Sequence, residues 1–269
     1  MHRWSMTEPL PEIALTEEEI DQILRSCAGR ALLVGGQALA FWAQHYQVKP
    51  LGVLSANVTS DVDFVGTAQV ARELSESLKS IGWRYWQPSL DAATSQTAKL
   101  SKRIEGQGIK QIDFLGSIVG LKAEGIQRRA IVLNLAEGMH IRVLHPLDVL
   151  ESRLKNLAEL PSKRDPQGIA QAHLAIDVVR CFLEQLLREE SSRSLLDAIE
   201  RVARMAQEKS LEAVFHDFGL DPLTAVPADR VPSKAFHTRR WPQIVAPIAE
   251  QRRAYAQRRQ RRAKPASKS

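Results

Sequence analysis

Cysteine is nearly absent from this chain: two in 269 residues, Cys27 and Cys181, far apart in sequence. Neither has a second thiol nearby, so a disulfide scaffold and a cysteine-ligated zinc site are both unsupported. Each falls within a helical pattern, which predicts buried free thiols and a reducing, cytoplasmic setting. Long apolar runs are missing too. No stretch approaches the ~20 residues a membrane-spanning helix needs, so no membrane contact is expected. The first residues are polar and acidic, with Glu8, Glu12 and Glu17 to Glu19, and lack the layout of a secretory signal. Several catalytic signatures are also lacking. There is no Gly-x-x-x-x-Gly-Lys-Ser/Thr loop, no His-Glu-x-x-His and no Gly-x-Ser-x-Gly. The seven histidines are scattered, and His45 and His173 fit helix cores or boundaries better than a site.

The formal charge of +6 is unevenly placed. Residues 251–269 hold eight Lys/Arg and no acid, which leaves 29 basic against 31 acidic residues in the body. A stretch such as Arg258-Arg259-Gln260-Arg261-Arg262 attracts polyanions, nucleic acid first among them; a solvated helix end is the other reading.

Thr16-Glu17-Glu18-Glu19 has the form of a capping box and predicts a helix over 16–28. A buried strand follows at 31–34, broken by Gly35-Gly36, and helical spacing resumes over 37–47. Residues 48–58 read as a loop, 62–65 as a strand and 68–80 as an amphipathic helix. Strands are expected at 83–86, 98–104, 109–115, 131–135 and 141–144, with a hairpin at Glu137-Gly138. From Pro146 the chain reads as helical, at 146–159, 166–188, 192–207 and 210–217. An irregular link over 219–244 and a last basic helix close it. The fold class is α+β: a mixed-sheet domain with flanking helices over 1–145, a helical domain over 146–218, and a link with a basic tail over 219–269.

Three acidic positions stand out. Asp61 and Asp63 are one residue apart at a strand, where residues i and i+2 share a face. Two like charges so close call for a cation, and Mg²⁺ favours carboxylate and phosphate oxygens. Asp113, between Ile112 and Phe114, shows the same alternation. If its strand runs beside the first, three carboxylates converge, enough for two metal ions ~3.5–4 Å apart. Gly35 and Gly36 permit close backbone approach to a phosphate, and the helix opening near Gln37 favours an anion there. Trp83, Tyr85 and Trp86 are candidates for stacking on a base, though such residues also fill cores.

The order Gly35-Gly36, then Thr59-x-Asp61-x-Asp63, then Asp113 resembles the nucleotidyltransferase superfamily that includes DNA polymerase beta. More narrowly, it resembles the abortive-infection and toxin-type enzymes, over roughly residues 30–180. The resemblance implies transfer of a nucleoside monophosphate from an NTP to an acceptor hydroxyl, on RNA such as tRNA or on protein. Asp61 and Asp63 would then be metal ligands, and Asp113 the third ligand or the base. Gly35, Gly36, Gln37 and Ser60 would contact the nucleotide. In the segment 145–157, Arg153 or Lys155 would reach the triphosphate, with Arg153 favoured. A toxin or phage-defence role and an antitoxin partner are implied in the same way. Asn57 stands where relatives often carry arginine, and the interval from the glycines to Asp61 is longer than usual. A nucleotide- or nucleic-acid-binding module without turnover is the competing class.

Overall fold

A computed structural model describes residues 10–27, 29–54, 58–89, 91–92, 94–134, 140–189 and 192–263. The chain divides into two units. One comprises residues 1–41 and 55–145, and the other residues 42–54 and 146–269.

The first unit is built on a seven-stranded mixed sheet. Its strands are β1 (Leu32–Val34), β2 (Val62–Val65), β3 (Arg84–Trp86), β4 (Gln96–Ile104), β5 (Gly108–Leu115), β6 (Ile131–Asn134) and β7 (His140–Val143). They are ordered β3-β4-β5-β2-β1-β7-β6. The β2–β5 and β1–β7 pairs are parallel and the others antiparallel. The β1–β2 pair sets Val34 opposite Asp63. Hence the end of β1, where the double glycine begins, lies beside the start of β2, where the paired acids are.

Alternation sorts the sheet into two faces. Val62, Phe64, Ala98, Leu100, Ile112 and Phe114 are buried on one of them. The Phe64 and Phe114 rings stack there with centroids 5.4 Å apart. Helix α3 (Ala68–Leu78) contributes Ala71, Leu74 and Leu78 to this core, and Thr67 caps its start by accepting from the Val70 N–H. Helix α1 (Glu17–Cys27) opens with the expected capping box. The Thr16 N–H donates to Glu19 Oε2 at 3.0 Å, and the Glu19 N–H donates to Thr16 Oγ1 at 3.3 Å. Glu19 is also tied to the sheet by Lys110 at 2.6 Å and Lys102 at 3.5 Å.

Two local departures from expectation have plain causes. Helix α2 runs Gly35–His45, so it absorbs both glycines instead of starting after them. Gly35 makes the strand-to-helix corner at φ 64°, a left-handed backbone that favours glycine. Helix α4 (Ala123–Arg129) was not expected; it is a seven-residue helix that carries Gly125 inside it. The expected Glu137-Gly138 turn lies outside the described residues, although the strands flanking it do pair antiparallel.

The second unit is helical: α5 (Pro146–Glu159), α6 (Pro166–Arg188), α7 (Ser192–Gln207), α8 (Glu212–Phe218) and α9 (Trp241–Ala263). The α5–α7 bounds coincide with those read from the sequence. Asp165 caps α6, accepting from the Gly168 N–H at 2.6 Å, with Pro166 in the first turn. Asp148, fully buried on α5, is matched by Arg201 of α7, which also binds Glu151 at 2.7 Å. The stretch 219–240 is more ordered than a loose link. It holds short 3₁₀ turns at Pro222–Ala225 and Ala228–Arg230, and a π turn at Phe236–Arg240 leads into α9. No helix among the described residues is long and apolar enough to cross a membrane.

Candidate metal centre

The parallel register of β2 and β5 pairs Asp63 with Asp113 directly. Partners in register share a face, so both carboxylates leave the sheet on the side opposite Phe64 and Phe114. Asp61 sits in the bend just before β2. One carboxylate oxygen from each of Asp61, Asp63 and Asp113 lies within 4.8 Å of the other two. All three residues are half-buried.

The surroundings hold the acids in place. Thr59, itself buried, donates its hydroxyl to Asp61 Oδ1. Lys99 on β4 pairs in register with Asp113; its ammonium lies 3.5 Å from Asp113 Oδ1 and donates to Gln111 Oε1 at 2.6 Å. Burial pushes the Asp113 carboxyl above the ordinary aspartate range. The Lys99 charge opposes that shift, and the Asp61 carboxylate adds to it.

The two glycines meet this cluster closely. A β-carbon at Gly35 would fall 1.9 Å from Asp63 Oδ2, and one at Gly36 would fall 2.4 Å from the Thr59 β-carbon. The room left by the missing side chains is thus occupied by Asp63 and Thr59. The Asp63 carboxylate sits at the opening residue of α2, where the helix dipole favours negative charge.

These residues fit a divalent cation. The donor set is three carboxylates, which suits hard oxygen-seeking ions such as Mg²⁺. Asp113 Oδ1 is buried and held only by the Lys99 ammonium at 3.5 Å, an ion pair without a well-formed hydrogen bond. A buried carboxylate oxygen in that state costs free energy that a bound cation would offset.

The other residues singled out from sequence fall in three places. Gln37, buried, lies in the first turn of α2, and Ser60 lies between Thr59 and Asp61; its backbone carbonyl accepts from the Leu15 N–H at 3.3 Å. Arg153 and Lys155 belong to the helical unit. Arg153 Nη1 donates to Gln171 Oε1 at 2.9 Å. The Lys155 ammonium binds Glu208 and donates to Ser210 Oγ at 3.1 Å, so its charge is engaged inside that unit. Much of the basic α9 is paired as well. Arg252 makes a two-pronged contact with Asp221 at 2.6 and 2.7 Å, and Arg258 and Arg259 pair with Glu212 and Asp217.

A separate cleft of about 570 Å³ opens at the C-terminal ends of β2 and β5. Its lining, which includes Thr67, Gln96 and Thr97, has no charged side chain among the described residues, so it offers little to a triphosphate. Lys99, which sequence reasoning passed over, is the cation nearest the acids by register. Only the β4–β5 pairing discloses it, because nothing in the local sequence links Lys99 to Asp113.

No family model and no curated protein matches the chain. Among solved structures it is similar to one described as the crystal structure of the Megavirus polyadenylate synthase. The identity is 14%, the TM-score 0.38, and the match covers 70% of this chain and 41% of that one. The chain therefore spans well under half the length of that protein.

Proposed function

We propose that this chain is a divalent-metal-dependent nucleotidyltransferase. It would move a nucleoside monophosphate from an NTP to an acceptor hydroxyl and release pyrophosphate. One observation carries the reading: three aspartates, two on neighbouring parallel strands and one in the bend before the first, bring their oxygens within 4.8 Å of one another, at a site where a single lysine faces them by register.

Asp61, Asp63 and Asp113 would hold the metal, with room in the donor set for two Mg²⁺ ions. Bound there, the metal would offset negative charge on the triphosphate and on departing pyrophosphate. In the transfer, the acceptor oxygen bonds to the α-phosphorus and the bond to the bridging oxygen of the β-phosphate breaks. The acceptor's proton passes to a carboxylate. Asp113, which also faces the Lys99 ammonium at 3.5 Å, would serve either as the third metal ligand or as that base. Gly35 and Gly36 set the Asp63 carboxylate first. Their backbone, with Gln37 and Ser60, would then line the phosphates.

The test is incubation with each NTP labelled at the α-phosphate, Mg²⁺, and either total RNA or lysate protein. Labelled acceptor is expected from the wild type and none from Asp63→Ala. Label that persists in that variant, or no label from a wild type that binds NTP, overturns the reading; the second outcome favours a binding module without turnover. The toxin or phage-defence role would show as growth arrest on induced expression, relieved by Asp63→Ala.

A further inference from the structure

The row of residues that crosses the sheet at the metal centre does not stop at the acids. Register pairs Asp63 with Asp113, Asp113 with Lys99, and Lys99 with Trp86. All four side chains therefore leave the same face of the sheet. The next row outward pairs Gln111 with Ser101 and Ser101 with Arg84, and Arg103 pairs with Ile109 beyond it. That face of β3 and β4 carries Arg84, Trp86, Lys99, Ser101 and Arg103. Neither strand contains an acidic residue.

Exposure separates this side from the other. Trp86 is 50% exposed, whereas its neighbour Trp83 is 3% exposed and belongs to the core. Arg84 and Arg103 are exposed and form no ion pair among the described residues. On the opposite face Lys102 and Lys110 are neutralised by Glu19. Among the described residues, the cations on the Trp86 side have no such partner apart from Lys99, which faces Asp113.

We propose that this face is a platform for a single-stranded nucleic acid whose terminal hydroxyl is the acceptor at the metal centre. The proposal rests on the transferase reading and names its acceptor class. Phosphates pair with Arg84 and Arg103, and a base stacks on Trp86, the arrangement by which open sheets hold unpaired strands. Neighbouring strands are ~4.8 Å apart, so Trp86 stands two spacings, ~10 Å, from Asp113. That is about three stacked nucleotides at ~3.4 Å each, which sets the strand end at the acids. A duplex offers no unstacked base to an indole, so the platform selects single strands.

The experiment uses the full chain and a fluorescein-labelled RNA of about 12 nucleotides and mixed sequence, long enough for one stacking platform, read by anisotropy with neither metal nor NTP. DNA of the same sequence and the RNA duplex serve as competitors. Trp86→Ala is expected to weaken binding at least five-fold and Trp86→Phe to restore most of it, with single-stranded competitors displacing the probe far better than the duplex. Arg84→Ala with Arg103→Ala should lower the slope of log affinity against log salt by about 0.7 for each phosphate no longer neutralised. Asp63→Asn should still bind the RNA, and Trp86→Ala should still bind Mn²⁺ as the wild type does. RNA binding within two-fold of wild type in Trp86→Ala, an unchanged salt slope in the arginine pair, or transfer to protein that is indifferent to Trp86 would each overturn the platform. Trp86-dependent binding without transfer would overturn the enzyme reading and leave the platform standing.

Discussion

Asp63 and Asp113 stand opposite each other in the parallel β2–β5 pair and, with Asp61, place three carboxylate oxygens within 4.8 Å. Without a cation the arrangement is costly, and the cost is felt at Asp113, whose burial and acidic neighbour favour its protonated form. A carboxyl whose folded-state proton affinity is raised binds more protons folded than unfolded. The metal-free protein therefore loses stability as pH rises from the ordinary aspartate range through the raised value. Asp113→Asn should abolish that dependence. Measured without metal, the variant's melting temperature relative to the wild type should rise between acid and neutral pH, with the lost Lys99 ion pair lowering it by a constant offset. Saturating Mn²⁺ at about a hundred times its Kd should stabilise the wild type by roughly 2.7 kcal/mol and the variant by much less. Calorimetric melts with and without EDTA decide it.

Gly35 should tolerate no side chain. Its φ of 64° disfavours any β-carbon, and the carboxylate of Asp63 fills the place where one would go. Gly35→Ala should cost about 2 kcal/mol or more in urea titration, from backbone strain and the clash together. Because the clash displaces a proposed metal ligand, Mn²⁺ affinity should fall beyond what the stability loss explains. Gly82→Ala is the control: it too has positive φ but meets nothing within 4 Å, so it should cost stability and leave Mn²⁺ binding alone.

Glu19 joins a helix cap to two sheet lysines. Burial alone would raise its carboxyl, but the Lys110 hydrogen bond and charge, the Thr16 N–H and the Lys102 charge together outweigh that and hold it below the ordinary glutamate range. Its stabilising contribution is therefore present above the unfolded-state value and is lost as pH falls through the depressed one. Glu19→Gln should cost about 2 kcal/mol at neutral pH, from lost charge-assisted hydrogen bonds, and nearly nothing once acid has protonated the wild-type carboxyl. Denaturant titrations at neutral and strongly acidic pH test both halves of the statement.

Cys27 is buried on α1 with its thiol pushed up to about 12, chiefly by burial. Cys181 is only partly buried. Iodoacetamide at mildly alkaline pH should label Cys181 within hours and leave Cys27 unmodified until urea unfolds the chain, as read by peptide mass. Labelling of Cys27 ahead of Cys181 in the native protein would contradict the packing of α1.

The parts of the fold readable in sequence are those set by local chemistry. The capping box at Thr16 and Glu19 fixed the start of α1, and Asp165-Pro166 with Gly168 fixed that of α6. Alternation around Asp63 and Asp113 told which way each acid faces. What it could not tell was strand order: that β5 lies beside β2 in parallel, and that β4 then brings Lys99 to Asp113, are matters of pairing across 14 to 50 residues. The engagement of Lys155 by Glu208 was hidden for the same reason. Helix α4 was missed because Gly125 weakens the pattern; that glycine is buried beneath the Arg129 side chain instead of ending the helix.

The helical unit is assembled from two stretches, 42–54 and 146–269, and its interior includes Trp42 and Leu54, each only 2% exposed. A gene cut at Pro146 would consequently encode an orphan: a C-terminal product stripped of two buried anchors, and an N-terminal product left holding them bare. Fragment expression, domain grafting and split-reporter schemes for this chain need a circularly permuted design that keeps residues 42–54 with their helices.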